Sequence, residues 1–144
     1  MAQHHPLHGF VVLVVDDDAD TLDALAKVLG EVFDCRVLSA LSADEALHMI
    51  DSGSHIDLVF SDVVMPGKDG MTLFQQVHRR LPNLPVVLGT GRNDVVELVN
   101  KGGWVALLKP YSIDGLEAVF CEQLGVKRYP PPHPSSPQQM AANS

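Results

Sequence analysis

Asp57-Leu58-Val59-Phe60-Ser61-Asp62, followed by Val63-Val64-Met65-Pro66-Gly67-Lys68-Asp69-Gly70, is the stretch whose reading decides the fold. It describes a buried strand that ends on a carboxylate, then a Pro-Gly turn, then the start of a helix. A charge at the end of an apolar strand is costly unless a partner or a ligand uses it. A second apolar run, Val11 to Val15, ends the same way on Asp16-Asp17, and two later runs end near Thr90 and Lys109. Four strand ends therefore carry the polar groups of interest, and the rest of the chain holds those ends together.

Between them lie helical patterns. Leu22, Leu25, Ala26, Leu29, Val32 and Phe33 recur at spacings of three and four, with Asp18 or Asp20 as the cap. After a short strand, Arg36 to Ala40, Ser42 and Glu45 make a capping box. It opens a helix that buries Ala43, Ala46, Leu47 and Ile50 and stops at Gly53. A helix from about Met71 to Leu81 buries Leu73, Phe74 and Val77 before Pro82. Strand four runs from Pro85 to Thr90, Asn93 caps a short helix to Lys101, and Gly102-Gly103 stops it. Trp104 to Leu108 is strand five, and Trp104 reads as a packing residue. Ser112 caps a last helix that buries Ile113, Leu116, Val119, Phe120 and Leu124. Five strands alternating with five helices predict an α/β domain with a parallel sheet covered on both faces.

The totals set the outer limits. A chain of 144 residues with 46% apolar content has room for one domain with a proper core. No apolar run approaches the roughly 18 residues of a membrane span, so no membrane partner is expected. Ten Lys and Arg against 18 Asp and Glu give a net charge of −8, which argues against direct binding to nucleic acid. Two cysteines, Cys35 and Cys121, read as reduced core thiols, and the cytoplasm is the default compartment. His4, His5 and His8 lack other ligands in the sequence, so residues 1–8 are expected to be a loose lead-in. The domain is expected over 9–126. The proline-rich segment 127–144 is expected to be a disordered tail, with no output domain.

Asp16, Asp17, Asp62, Thr90 and Lys109 all fall at the carboxyl edge of the expected sheet, where such folds place their sites. Clustered carboxylates repel, and Mg²⁺ with its preference for oxygen ligands relieves them. A carboxylate beside Mg²⁺ can also attack a phosphoryl group, with a hydroxyl and a lysine steadying the transferring oxygens.

On Val14-Val15-Asp16-Asp17-Asp18, Asp57 to Asp62 with Met65-Pro66-Gly67 and Asp69-Gly70, Thr90, and Leu108-Lys109-Pro110, the chain resembles the receiver domain of two-component response regulators. The resemblance covers about residues 9–126. It implies a flavodoxin-like, doubly wound (βα)5 sheet of strand order 2-1-3-4-5. It implies that Asp62 accepts a phosphoryl group from a sensor histidine kinase or a histidine phosphotransfer protein, acting as a phosphoacceptor rather than an enzyme. Asp16, Asp17, Asp62 and the carbonyl of Val64 would hold Mg²⁺. Thr90 would bind a phosphoryl oxygen, Lys109 would pair with it, and Lys109-Pro110 would be a cis peptide. A downstream protein would read the switch.

Two features depart from the family. Ala106 stands where an aromatic is usual, three residues before the lysine, and the segment from Thr90 to Lys109 is short by nearly one helical turn. Gly89 and Gly91 flank Thr90 and are expected to loosen that backbone. A different readout, or a partly mobile fourth helix, is the expectation. The apolar Val64 predicts slow loss of the phosphate. The competing readings are a receiver of a hybrid sensor kinase, a pseudo-receiver interaction module, and a haloacid dehalogenase-type phosphohydrolase with Asp16 as nucleophile and Asp18 as acid-base partner.

Overall fold

The computed structural model describes residues 4–101 and 105–128. Five strands form one sheet: β1 (Val11–Val15), β2 (Arg36–Ala40), β3 (Leu58–Asp62), β4 (Val86–Thr90) and β5 (Val105–Leu108). All pairings are parallel, in the order β2-β1-β3-β4-β5. The helices between and after them are α1 (Ala19–Lys27), α2 (Ala43–Asp51), α3 (Gly70–Arg80), α4 (Asn93–Lys101) and α5 (Ile113–Leu124). Trp104, the Gly102-Gly103 stop and the tail from 129 to 144 lie outside the described residues.

The expected order and layering follow from burial on both sheet faces. Leu13, Val15, Val59, Val86 and Leu88 pack against α2 and α3, joined by Ala43, Ala46, Leu47, Ile50, Leu73 and Val77. Val12, Val14, Leu58, Phe60 and Val87 pack on the other face with Leu22, Leu29, Phe33, Leu116 and Phe120. Each fully buried Val, Leu or Phe contributes about 1.5–3 kcal/mol, which is why the three central strands read as unbroken apolar runs. The caps are the expected side chains: Asp18 for α1, Ser42 for α2 and Ser112 for α5. Asp69, which the sequence reading passed over, caps α3 by accepting from Thr72 N–H at 2.8 Å.

Three expectations need correction. The first helix is not regular throughout: after Lys27 it widens into a π turn over Val28–Val32, closed by Phe33 N–H on the Val28 carbonyl. The wider turn keeps Leu29 and Phe33 on the core side and swings Val32 out to 45% exposure. Ile113, in the first turn of α5, is also exposed. Residues 4–8 are not a loose lead-in, since Leu7 is fully buried and accepts a bond from Cys35 Sγ through its carbonyl.

The same end of the molecule holds an ionic clamp. Beyond Gly125, whose left-handed φ of 69° reverses the chain after α5, Arg128 bonds Glu117 at 2.9 Å and Asp114 at 3.3 Å. His5 bonds Glu117 from the other side at 3.0 Å. His5 and Arg128, from opposite ends of the described chain, thus meet on Glu117 of α5.

Two glycines mark close approaches. At Gly70 a Cβ would fall 2.4 Å from the Asp62 carbonyl oxygen, so α3 begins in direct contact with the end of β3. At Gly89 a Cβ would fall 1.8 Å from the hydroxyl oxygen of Tyr111 and 2.9 Å from its Cζ. Gly89 is therefore not a loosened position but a buried notch filled by Tyr111; Gly91 faces open space.

These contacts generate two expectations. Burial pushes the Glu117 carboxyl up, but the bonds from Arg128 and His5 outweigh it and hold the group below the usual carboxylate range. A lowered native value stabilises above the unfolded-state value and is lost as pH falls through the native one. Glu117→Gln should therefore cost about 1–3 kcal/mol near pH 7. In urea titrations the gap between the two proteins should close below about pH 4. A gap independent of pH would show that the clamp is not ionic. Separately, Gly89→Ala should cost about 1–3 kcal/mol by overpacking. Tyr111→Phe removes the nearer clash, so the double variant should recover at least about 0.5 kcal/mol relative to additivity; strict additivity in melts would contradict the packing.

Candidate functional site

The carboxyl edge gathers the polar groups by simple register. Asp16 follows β1 directly, with its N–H on the Ala40 carbonyl at 3.1 Å. Asp62 ends β3 opposite Gly89 of β4. Thr90 ends β4 opposite Leu108, and Lys109 N–H continues that pairing onto the Thr90 carbonyl at 2.7 Å. Because side chains alternate along a strand, Asp62 and Lys109 project on the face that carries Phe60, Val87 and Leu107. Gly89, between them, presents no side chain there. Lys109 crosses that gap, and its Nζ donates to Asp62 Oδ1 at 3.1 Å. The Lys109-Pro110 peptide is cis.

Asp16, Asp17 and Asp62 each place a carboxylate oxygen within 4.8 Å of the others. Asp16 is buried, Asp62 half-buried and Asp17 exposed. Burial raises the Asp16 carboxyl above its ordinary range, and the charges of Asp62 and Asp17 add to that. Its bond from Asp18 N–H at 2.9 Å and the nearby Lys109 act the other way. Tyr111, packed edge-on to Phe60, has its hydroxyl pushed up by burial and by the negative charges of Asp62 and Asp16. Negative charge is therefore concentrated in a partly dry pocket with one lysine to offset it. Oxygen donors in that arrangement suit a hard divalent cation such as Mg²⁺.

Thr90 is buried, and its Oγ1 accepts Arg92 N–H at 3.2 Å, which leaves the hydroxyl proton free to be donated. Val64 sits in the loop after β3 and is 70% exposed. Asp18 turns away from the pocket: its two oxygens take Asp20 N–H and the Thr21 hydroxyl. That removes the acid-base partner on which the phosphohydrolase reading rested. Ala106 lies on β5 opposite Leu88, so no aromatic occupies that place. Tyr111 and Gly89 were not singled out together from sequence. The available signal was a glycine inside an otherwise apolar strand, which marks close approach by another group.

Comparisons with known proteins agree with this fold. Residues 12–120 match the family described as the response regulator receiver domain. The C4-dicarboxylate transport transcriptional regulatory protein DctD of Rhizobium meliloti is 36% identical over 108 residues, covering 73% of this chain and 23% of that protein. The chain thus spans about a quarter of the length of the curated relatives it matches. Among solved structures, a response regulator receiver domain protein from Clostridium thermocellum superposes with a TM-score of 0.73 at 28% identity, covering 81% of this chain and 94% of that one. The response regulator TrrA of Thermotoga maritima, in complex with Mg²⁺-BeF, shares the fold with a TM-score of 0.72 at 24% identity, covering 80% and 99%. With its sheet order, its edge of acids and this match across most of its length, the chain belongs to the response regulator receiver domain family of two-component signalling.

Proposed function

We propose that Asp62 is the phosphoacceptor and that its phosphorylation switches contact with a downstream protein. One observation carries this reading: three carboxylates from two adjacent strands converge within 4.8 Å while Lys109 holds one oxygen of Asp62. The phosphoryl donor would be a phosphohistidine, on a sensor histidine kinase or a histidine phosphotransfer protein. In the transfer a carboxylate oxygen of Asp62 forms a bond to phosphorus. The P–N bond breaks, and its electron pair returns to the imidazole.

Each neighbour then has a definite task. Lys109 releases the carboxylate oxygen and pairs with the phosphoryl group, its charge following the charge that moves. Thr90 donates its free hydroxyl proton to a phosphoryl oxygen while still accepting from Arg92 N–H. Asp16, Asp17, Asp62 and the Val64 carbonyl would hold Mg²⁺, which when bound offsets negative charge on the phosphoryl oxygens. The donor set fits this ion, since the three side chains offer only carboxylate oxygens. No catalytic turnover of a separate substrate is proposed. Buried, reduced thiols at Cys35 and Cys121, pushed up to about 12 and about 11 by burial, fit a reducing compartment such as the cytoplasm. No helix among the described residues is long and apolar enough to cross a membrane.

Intact mass after incubation with acetyl phosphate and Mg²⁺ tests the assignment. One phosphoryl adduct is expected that needs Mg²⁺ and is absent from Asp62→Asn. An adduct that persists in that variant would move the acceptor to Asp16. No adduct at all would favour an interaction module with an idle site. The exposed, apolar Val64 offers an attacking water no polar partner, so Val64→Asn should shorten the phosphoprotein lifetime. A barrier lowered by about 1 kcal/mol would make the loss roughly fivefold faster; an unchanged lifetime would contradict a role for this position.

A further inference from the structure

We propose that His4, His8 and Asp34 form a binding site for a transition-metal ion of the zinc type, at the edge of the sheet opposite the acidic pocket. In sequence the amino-terminal histidines lack a companion ligand. The fold supplies one: Asp34, from the connection between α1 and β2, meets His8, its Oδ2 in close contact with His8 Nδ1. One ligand atom from each of His4, His8 and Asp34 lies within 4.8 Å of the other two. Two atoms bound to one tetrahedral zinc ion lie about 3.4 Å apart, for bonds of about 2.1 Å. Bringing all three onto one ion therefore takes side-chain rotation, above all of the exposed His4 ring.

The two segments that bring these groups together are fixed by the fold. Gly9 N–H bonds the Asp34 carbonyl at 3.0 Å, Arg36 N–H bonds the Phe10 carbonyl at 2.9 Å, and Leu7 between the histidines is fully buried. Asp34 holds a left-handed φ of 59°, the one such non-glycine among the described residues. His5 is excluded from the site because both its nitrogens are engaged, Nδ1 by Leu7 N–H and Nε2 by Glu117. His4 instead lies stacked on His8 with ring centroids 4.0 Å apart. It must turn its ring out of that stack to present a lone pair, which its exposed position allows. Two imidazoles and one carboxylate suit Zn²⁺, Ni²⁺ or Cu²⁺ and disfavour Mg²⁺, which prefers oxygen alone. The site is thus chemically separate from the acidic triad, and a bound ion would tie the amino-terminal turn to the start of β2.

Zinc titration of the full chain without an affinity tag, in excess Mg²⁺ to fill the acidic pocket, tests this by calorimetry. One zinc per chain is expected, and His4→Ala and His8→Ala should each weaken binding by about tenfold or more. Asp34→Asn should weaken it too, and asparagine tolerates the left-handed backbone. At one zinc concentration the melting temperature of the parent protein should rise more than that of His4→Ala, whose side chain is exposed. Binding unchanged by all three substitutions would place the zinc elsewhere and overturn the proposal. So would the absence of any binding up to about millimolar zinc.

Discussion

The charge collected at the carboxyl edge is the constraint on which the structure turns. Three carboxylates share a partly dry pocket, and among the described residues Lys109 is the cation that pairs with one of them. Like charges in partly dry surroundings repel strongly, because the effective dielectric constant there is far below that of water. The strands that bear them are held in place by apolar packing on both faces, which is ample to keep the acids together. The fold thus holds ready a site that favours the arrival of positive charge.

Much of this was legible in the sequence. Unbroken β-branched runs announced strands buried on two sides, and the acids at their ends announced the edge that matters. Caps at Ser42 and Ser112 and the buried positions of α2 matched the periodic pattern residue for residue. Apart from the Asp69 cap and the exposed Ile113, what escaped is mostly of one physical kind: contacts between segments far apart in the chain. The π turn that expels Val32 depends on Phe33 and Leu29 sharing a core with Leu7. The burial of Leu7 and the pairing of His5 with Glu117 need α5 and the amino-terminal segment side by side. No local periodicity encodes either.

Gly89 shows the same limit within the site. In sequence, a glycine before Thr90 signals backbone freedom; in the fold it is an absence of volume that Tyr111 fills. With Ala106 small and Tyr111 large, the aromatic mass near the pocket lies on the sheet face of Phe60 and α5 rather than on the face of Leu88.

The contact at Gly70 carries a mechanical consequence. With the Asp62 carbonyl seated where a side chain would stand, and Gly70 N–H tied to the Val63 carbonyl at 2.8 Å, strand and helix meet without slack. Their junction has no compliant layer of side chains to absorb a small displacement. The eleven residues of α3 make a rod of about 16 Å. A tilt of a few degrees at Asp62 would therefore arrive at Arg80 as a travel of about an ångström.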